Sequence, residues 1–449
     1  MPIRRRLVLA AVLALAALAL PAQAGAGDYV PGEVLVKYED GTTAARASAV
    51  ERVTGTATEH ALPGGAERLS IEDGDSVRAT VADLRNDPNV AYAVPNWKAR
   101  AAAPFLPNDP DFPLQWNLFG PFGINMPEAW SLAAEYGTPG GTGVTIALID
   151  SGVAYQRYKR YRRAPDLRRS TFVRGWDFIG RDHHPNDAYG HGTHVAGTMA
   201  QATNNARATA GIAYGAKIMP LRVLDAVGWG DAFTIARAIR YAARRRIDVI
   251  NLSVEFGPAV RARDIPDVLS ALRYARRRGS VVVAAAGNET DLAVAYPARA
   301  LEVIAVGATT VTGCEAWYSN AGSDLDVVAP GGGQDAPNSR SQWDHDHCQP
   351  DAPGRPIIQQ TFVNEGRVRS FGLPRDYEGT SMAAPHVAAI AALVIASGRL
   401  GPNPSPSTVE QHLEATARDA GWPGFDRFYG HGLVDAAAAL RPPVPTSSG

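Results

Sequence analysis

Two rhythms of apolar residues divide this chain. From residue 144 onward, short and nearly continuous apolar runs fall at 144–149, 218–224, 247–252, 281–286, 303–306 and 325–328. Between several of them, 231–246 and 267–278 carry apolar residues at helical spacing. A strand buried on both faces has no solvent side to mark with polar residues. Continuous runs alternating with helices therefore predict an α/β fold: a parallel sheet covered by helices on both faces. The run 382–396 is longer, has almost no polar side chain, and predicts a fully buried helix. Before residue 100 the pattern differs. Residues 32–37 alternate as a half-exposed strand does, 75–86 place Val77, Val81 and Leu84 on one helical face, and 89–94 read as a second strand. This predicts a small α+β domain, followed by an Ala/Pro/Asn-rich stretch at 98–110 that reads as an exposed linker.

The chain opens with Met1-Pro-Ile-Arg-Arg-Arg6, an apolar run at 7–20, and Ala22-Gln-Ala24. A charged start, a short apolar centre and an Ala-x-Ala end predict a secretory signal peptide over 1–24. The run is shorter than the roughly 20 residues of a membrane span, so the mature form is expected outside the cytoplasm (periplasm or medium) without a transmembrane anchor. Divisions follow at 25–103 for the small domain, 104–440 for the large one, and 441–449 for a Pro/Ser-rich tail expected to be disordered. Net charge is −1 in 449 residues, which gives no global attraction for nucleic acid. In an oxidising compartment Cys314 and Cys348 are either a disulfide or two thiols; the disulfide is favoured because Cys348 lies in a loop-like region that gains from a staple.

Three motifs sit at strand ends or helix starts. Asp150-Ser-Gly follows the first strand of the large domain, His191-Gly-Thr-His194 opens an apolar stretch, and Gly379-Thr-Ser381 precedes the buried helix. Each has a plain alternative: a turn aspartate, half of a metal site, and a serine N-cap. Together they supply a carboxylate, an imidazole and a hydroxyl, the set that nucleophilic catalysis needs. A serine is a weak nucleophile until a base takes its proton, and an aspartate fixes and stabilises the imidazole that does so. Asn288, after the strand at 281–286, adds an amide able to donate to a developing oxyanion.

Asp150-Ser-Gly, His191-Gly-Thr-His-Val-Ala-Gly197, Ala286-Gly-Asn288 and Gly379-Thr-Ser-Met-Ala-Ala-Pro-His386 together resemble the subtilisin-like serine proteases over roughly 107–440. The chain order Asp, His, Ser is the one described for subtilisin. The resemblance implies Ser381 as nucleophile, His191 as general base, Asp150 as its orienter, and Asn288 with the Ser381 N–H as oxyanion donors. It also implies that 25–103 is an inhibitory, chaperoning propeptide removed autocatalytically between Asn96 and Asn108.

In that family an extended peptide adds as a strand beside the enzyme. The matching segments here are Gly228-Trp229-Gly230 and Ser253-Val254-Glu255, with Ala286, Gly287 and Ala295 around the primary pocket. Glu255 departs from the family, which has Gly there. It offers a partner for a basic substrate residue, or a solvated carboxylate. The expectation kept is broad preference for large apolar residues before the scissile bond. No cofactor is expected for catalysis. Structural calcium, as in the family, would fall to Asp109, Asp166, Asn204 and Asn205, with Arg207 in the same loop opposing it. Polypeptides and the chain's own propeptide are the expected partners of a monomer. The alternatives are a catalytically silent subtilisin-like binding or chaperone module, and an esterase, which lacks its Gly-x-Ser-x-Gly.

Overall fold

The computed structural model describes residues 29–98, 104–337 and 347–442. The signal peptide expected over 1–24, residues 443–449 of the tail, and the Asp/His-rich 343–346 lie outside the described residues. The chain divides into two compact units between Ala103 and Pro104.

The first unit contains β1 (Tyr29–Tyr38), α1 (Ala44–Val53), β2 (Thr56–Ala61), β3 (Ala66–Ile71), α2 (Val77–Asn86) and β4 (Val90–Trp97). The strands form an antiparallel sheet in the order β2-β3-β1-β4. Val34 and Val36 on β1 pack with Leu69, Val77, Val81 and Leu84 in its core. The reading of 32–37, 75–86 and 89–94 places three of these elements. It has no counterpart for the β2–β3 hairpin, where Thr56-Ala-Thr-Glu-His-Ala61 is buried only at its first residue and gives no apolar signal.

The second unit begins with packed rather than linking chain. The Phe105 ring meets Trp130 edge-on at 5.6 Å, its N–H donates to Ser131 Oγ, and Asp109 is buried. Residues 105–110 are therefore part of the core unit and not of the exposed linker read from composition. The elements that follow are α3 (Met126–Glu135), β5 (Thr145–Asp150), β6 (Thr171–Phe172), β7 (Trp176–Asp177), α4 (His191–Ala200), β8 (Lys217–Arg222), α5 (Ala232–Arg244), β9 (Val249–Leu252), α6 (Pro266–Arg277), β10 (Val281–Ala285), β11 (Ile304–Thr309), β12 (Val327–Pro330), β13 (Thr361–Phe362), β14 (Phe371–Gly372), α7 (Thr380–Ser397), α8 (Pro406–Thr416) and α9 (Ala436–Leu440). The large sheet is parallel, in the order β12-β11-β10-β9-β5-β8-β6, with β7 also on β8.

Alternate residues of each strand feed two cores. Ile146 and Leu148 face α7 and α4, while Ala147 and Ile149 face α5 and α6. By length and composition α7 passes for a membrane span, yet 78% of that window is buried inside the unit. It is the central core helix. Cys314 and Cys348 are joined across 34 residues, with a Cα–Cα separation of 5.8 Å. The basic stretch 155–163 folds back on itself: Arg163 donates to the Leu167 and Ser170 carbonyls, and Tyr158 stacks on His184.

Candidate active site

Parallel strands covered on both faces open a crevice at their carboxyl ends, and the chemistry-bearing segments converge there. Asp150 is the last residue of β5 and is fully buried. Its Oδ1 accepts from the Ser151 N–H at 2.6 Å and lies 2.8 Å from His191 Nδ1, with Oδ2 3.0 Å from the same nitrogen. A carboxylate at Nδ1 places the imidazole proton there and leaves Nε2 as the basic nitrogen. Burial alone would lower the His191 pKa, but the charge and hydrogen bond of Asp150 outweigh it and hold the ring above its ordinary 6.5.

Asp187, which the sequence did not single out, anchors His191 from below. Its Oδ1 accepts from Ser151 Oγ and from the N–H groups of Tyr189 and Gly190, and its Oδ2 from Thr193 N–H and Oγ1, all at 2.6–2.9 Å. Ser151 Oγ in turn accepts from the Gly192 N–H. One buried carboxylate therefore satisfies the orphan donors at the start of α4 and ties them to the Asp150 turn. Burial pushes the Asp187 carboxyl up while these donors pull it back.

Ser381 is the second residue of α7, after a turn at Gly379 whose φ of 146° favours glycine. Pro385 inside the first turns of α7 has no N–H for the Ser381 carbonyl four residues back. Ser253 Oγ fills the gap, donating to that carbonyl at 2.9 Å. This clamps the Ser381 backbone to the end of β9. Ser381 Oγ makes a long contact with the Ser253 carbonyl, 3.4 Å, and the described residues show no Ser381–His191 hydrogen bond.

Asn288 follows β10. Its Oδ1 accepts from Thr380 N–H at 2.8 Å and from Thr380 Oγ1 at 3.0 Å. This fixes the amide so that Nδ2 is the outward donor. Nδ2 meets the Glu255 carboxylate at 3.2 and 3.4 Å.

Two clefts share Tyr189, His191 and Ser381. One, of about 520 Å³, is lined by Gly228, Trp229 and Gly230 on one side and Ser253, Val254 and Glu255 on the other. Gly230 is pressed against its own fold, since a Cβ there would sit 2.6 Å from the Val223 carbonyl. Trp229 is 76% exposed. Ala286, Gly287 and Ala295 lie behind this wall, with the Ala295 N–H on the Ala286 carbonyl at 2.7 Å. The second cleft, about 620 Å³, is walled by Phe362, Asn364, Glu365, Asp376 and Glu378. Much of that wall comes from residues 362–374, between β12 and α7. No periodicity signals it, because the β13–β14 hairpin has only two residues in each strand.

The remaining motif histidines are structural. His386 accepts from Asn117 Nδ2 and donates to the Met382 carbonyl; burial lowers its pKa to about 4. His194 donates to the Ile357 carbonyl and stacks on Tyr377; burial lowers its pKa to about 3.

For calcium, Asp109 Oδ1 and Oδ2 accept from the N–H groups of Asn205 and Asn204, and Asn205 Nδ2 donates to Asp166 Oδ1. The Asp109 charge also raises the Asp166 carboxyl pKa, although burial is the larger cause. The buried Asn205 Oδ1 and Gln201 Oε1 have no hydrogen-bond partner. Two carboxylates beside two orphaned amide oxygens fit a hard divalent cation. Asn204 Oδ1 is instead taken by the Asn108 N–H, and Arg207 is exposed.

A family model described as the Subtilase family matches residues 141–432, and one described as the Fervidolysin N-terminal prodomain matches 16–96. The chain is 35% identical to a thermophilic serine proteinase of Bacillus sp. (strain AK1), covering 92% of this chain and 88% of that protein. It is also 35% identical to thermitase of Thermoactinomyces vulgaris, covering 75% and 100%. A solved structure of a protease from Pseudoalteromonas arctica PAMC 21717 aligns with a TM-score of 0.60 at 33% identity, over 74% of this chain and 98% of that one. With this sheet, this prodomain match and relatives of this extent, the chain belongs to the subtilase family of serine endopeptidases.

Proposed function

We propose that Ser381, His191, Asp150 and Asn288 carry out peptide hydrolysis in this subtilase. The reading rests on one observation above all: Asp150 pairs with His191 Nδ1 at 2.8 Å beside a cleft that also holds Ser381. With a substrate carbonyl seated, Ser381 Oγ turns from the Ser253 carbonyl toward His191 Nε2 and attacks as its proton transfers to that nitrogen. The tetrahedral oxyanion is held by the Ser381 N–H and Asn288 Nδ2. His191 then gives the proton to the leaving amine, and an acyl-enzyme on Ser381 remains for water to hydrolyse by the same base. The substrate lies as a strand between Gly228-Trp229-Gly230 and Ser253-Val254-Glu255. The family default is a large apolar residue before the scissile bond.

The first unit acts as propeptide, inhibiting the second until self-cleavage between Asn96 and Asn108. The signal peptide directs export, and the mature enzyme works as a monomer. Asp109, Asp166 and Asn205, joined by Gln201, would hold a calcium ion that stabilises the second unit and takes no part in the chemistry. Incubating purified precursor tests the reading. Wild type shortens by the length of the propeptide and Ser381→Ala stays intact; equal shortening of both would overturn self-processing.

A further inference from the structure

We infer that the primary pocket of this enzyme binds an arginine or lysine side chain between the carboxyl groups of Glu255 and Glu289, immediately before the scissile bond. This rests on the active-site assignment above and departs from the large apolar preference expected of the family.

Glu255 stands on the substrate-binding wall, where its carboxylate feels the charge of Glu289. Glu289 Oε2 accepts from Asn320 Nδ2 at 2.7 Å and from the Asn288 N–H at 3.1 Å. The same oxygen lies 2.9 Å from where a Gly287 Cβ would be, as does the Ala295 Cβ. The two carboxyls thus flank Asn288, Glu255 on its side-chain amide and Glu289 on its backbone N–H. Burial first, and then the Glu289 charge, push the Glu255 carboxyl up to about 7. Two neighbouring carboxylates repel, which favours a cation between them. A guanidinium or ammonium there can hydrogen-bond to both groups.

The surroundings carry the same sign. Glu255 lines one cleft and Glu365, Asp376 and Glu378 the other, and among the described residues neither cleft is lined by a Lys or Arg. Catalysis favours the same occupant. Asn288 Nδ2, the oxyanion donor, is hydrogen-bonded to Glu255. A bare carboxylate at that place opposes the developing oxyanion, and a substrate cation neutralises it.

The chain's own junction is a third, independent sign. Trp97 closes the last strand of the first unit, and Phe105 is packed into the second. The sequence between them is Lys98-Ala-Arg-Ala-Ala-Ala-Pro104. It contains no large apolar residue, and Lys98 and Arg100 are its only large side chains.

The test uses quenched fluorescent peptides identical except for Arg, Lys or Phe before the scissile bond. They are assayed on the matured wild type, Glu255→Gln and Glu289→Gln, each titrated with a fluorophosphonate. Wild-type kcat/KM is expected to favour Arg over Phe by about tenfold or more. Glu255→Gln should lower the Arg value by about 30-fold or more, with Phe unchanged or improved. A wild type that cleaves Phe at least as well as Arg overturns the inference, and that comparison decides even if neither variant matures. An enzyme labelled at Ser381 with Phe preferred refutes only this pocket assignment. One that neither labels nor cleaves any of the peptides refutes the active-site reading itself. Sequencing the product of the first self-cleavage gives a second readout. A new N-terminus at Ala99 or Ala101 is expected, and a first cut anywhere else counts against the inference.

Discussion

Replacing Asp187 with Asn tests whether His191 is held by the buried carboxylate below it. The substitution preserves shape. It turns one of two acceptor oxygens into a donor, in a site where all five neighbours donate. If the remaining oxygen keeps Ser151, Tyr189 and Gly190, the new NH₂ faces Thr193. The Thr193 hydroxyl can rotate to accept, but its backbone N–H cannot. One buried N–H is left unsatisfied, costing about 1–3 kcal/mol, and the other bonds lose their charge assistance, for a total of about 3–5 kcal/mol. A unit of this size loses roughly 1–2 °C per kcal/mol, so the unfolding midpoint should fall by about 3–10 °C. Calorimetry in the Ser381→Ala background, where autolysis cannot distort the trace, reads this directly. With Ser381 restored, kcat should fall more than KM rises, because Gly190 and Thr193 flank the base. A midpoint within about 1 °C of the parent, with kcat unchanged, would show that Asp187 does not position His191.

Other consequences follow from the same geometry. Because His191 must be neutral to act as base and its pKa is raised above 6.5, kcat/KM should climb with pH through a midpoint above 6.5. Asp150→Asn should cut kcat by about 10⁴ and move that midpoint down; an unshifted midpoint would contradict the pairing. Asn288→Ala should lower kcat by about 10²–10³ with little change in KM, as read by progress curves on a short peptide. Chelation should lower the thermal midpoint of the matured enzyme, and Asp166→Asn should remove that sensitivity; equal sensitivity in both proteins would move calcium away from Asp109 and Asp166.

The parallel sheet was readable because its strands, buried on both faces, leave unbroken apolar runs such as 144–149 and 281–286. The candidate triad stands out in the sequence because each member sits at a strand end or helix start with small neighbours. What the sequence hid depends on distant partners. Asp187 is an ordinary loop aspartate until Ser151 and Thr193 close on it. Glu255 and Glu289 lie 34 positions apart, after β9 and β10, and come together only at Asn288. The β2–β3 hairpin is polar because the outer face of a small sheet is solvated. The cleft wall from Phe362 to Glu378 has no periodicity because it is mostly loop, held by contacts such as Thr361 Oγ1 on the Gly190 carbonyl.

Everything proposed for this site depends on Ser381 being a nucleophile activated by His191. A fluorophosphonate reacted with the matured protein and mapped by peptide mass spectrometry reads that activation. One stoichiometric adduct is expected, on Ser381, lost in Ser381→Ala and slowed by several orders of magnitude in His191→Ala. An adduct on another residue, or labelling of Ser381 at an undiminished rate without His191, would contradict it.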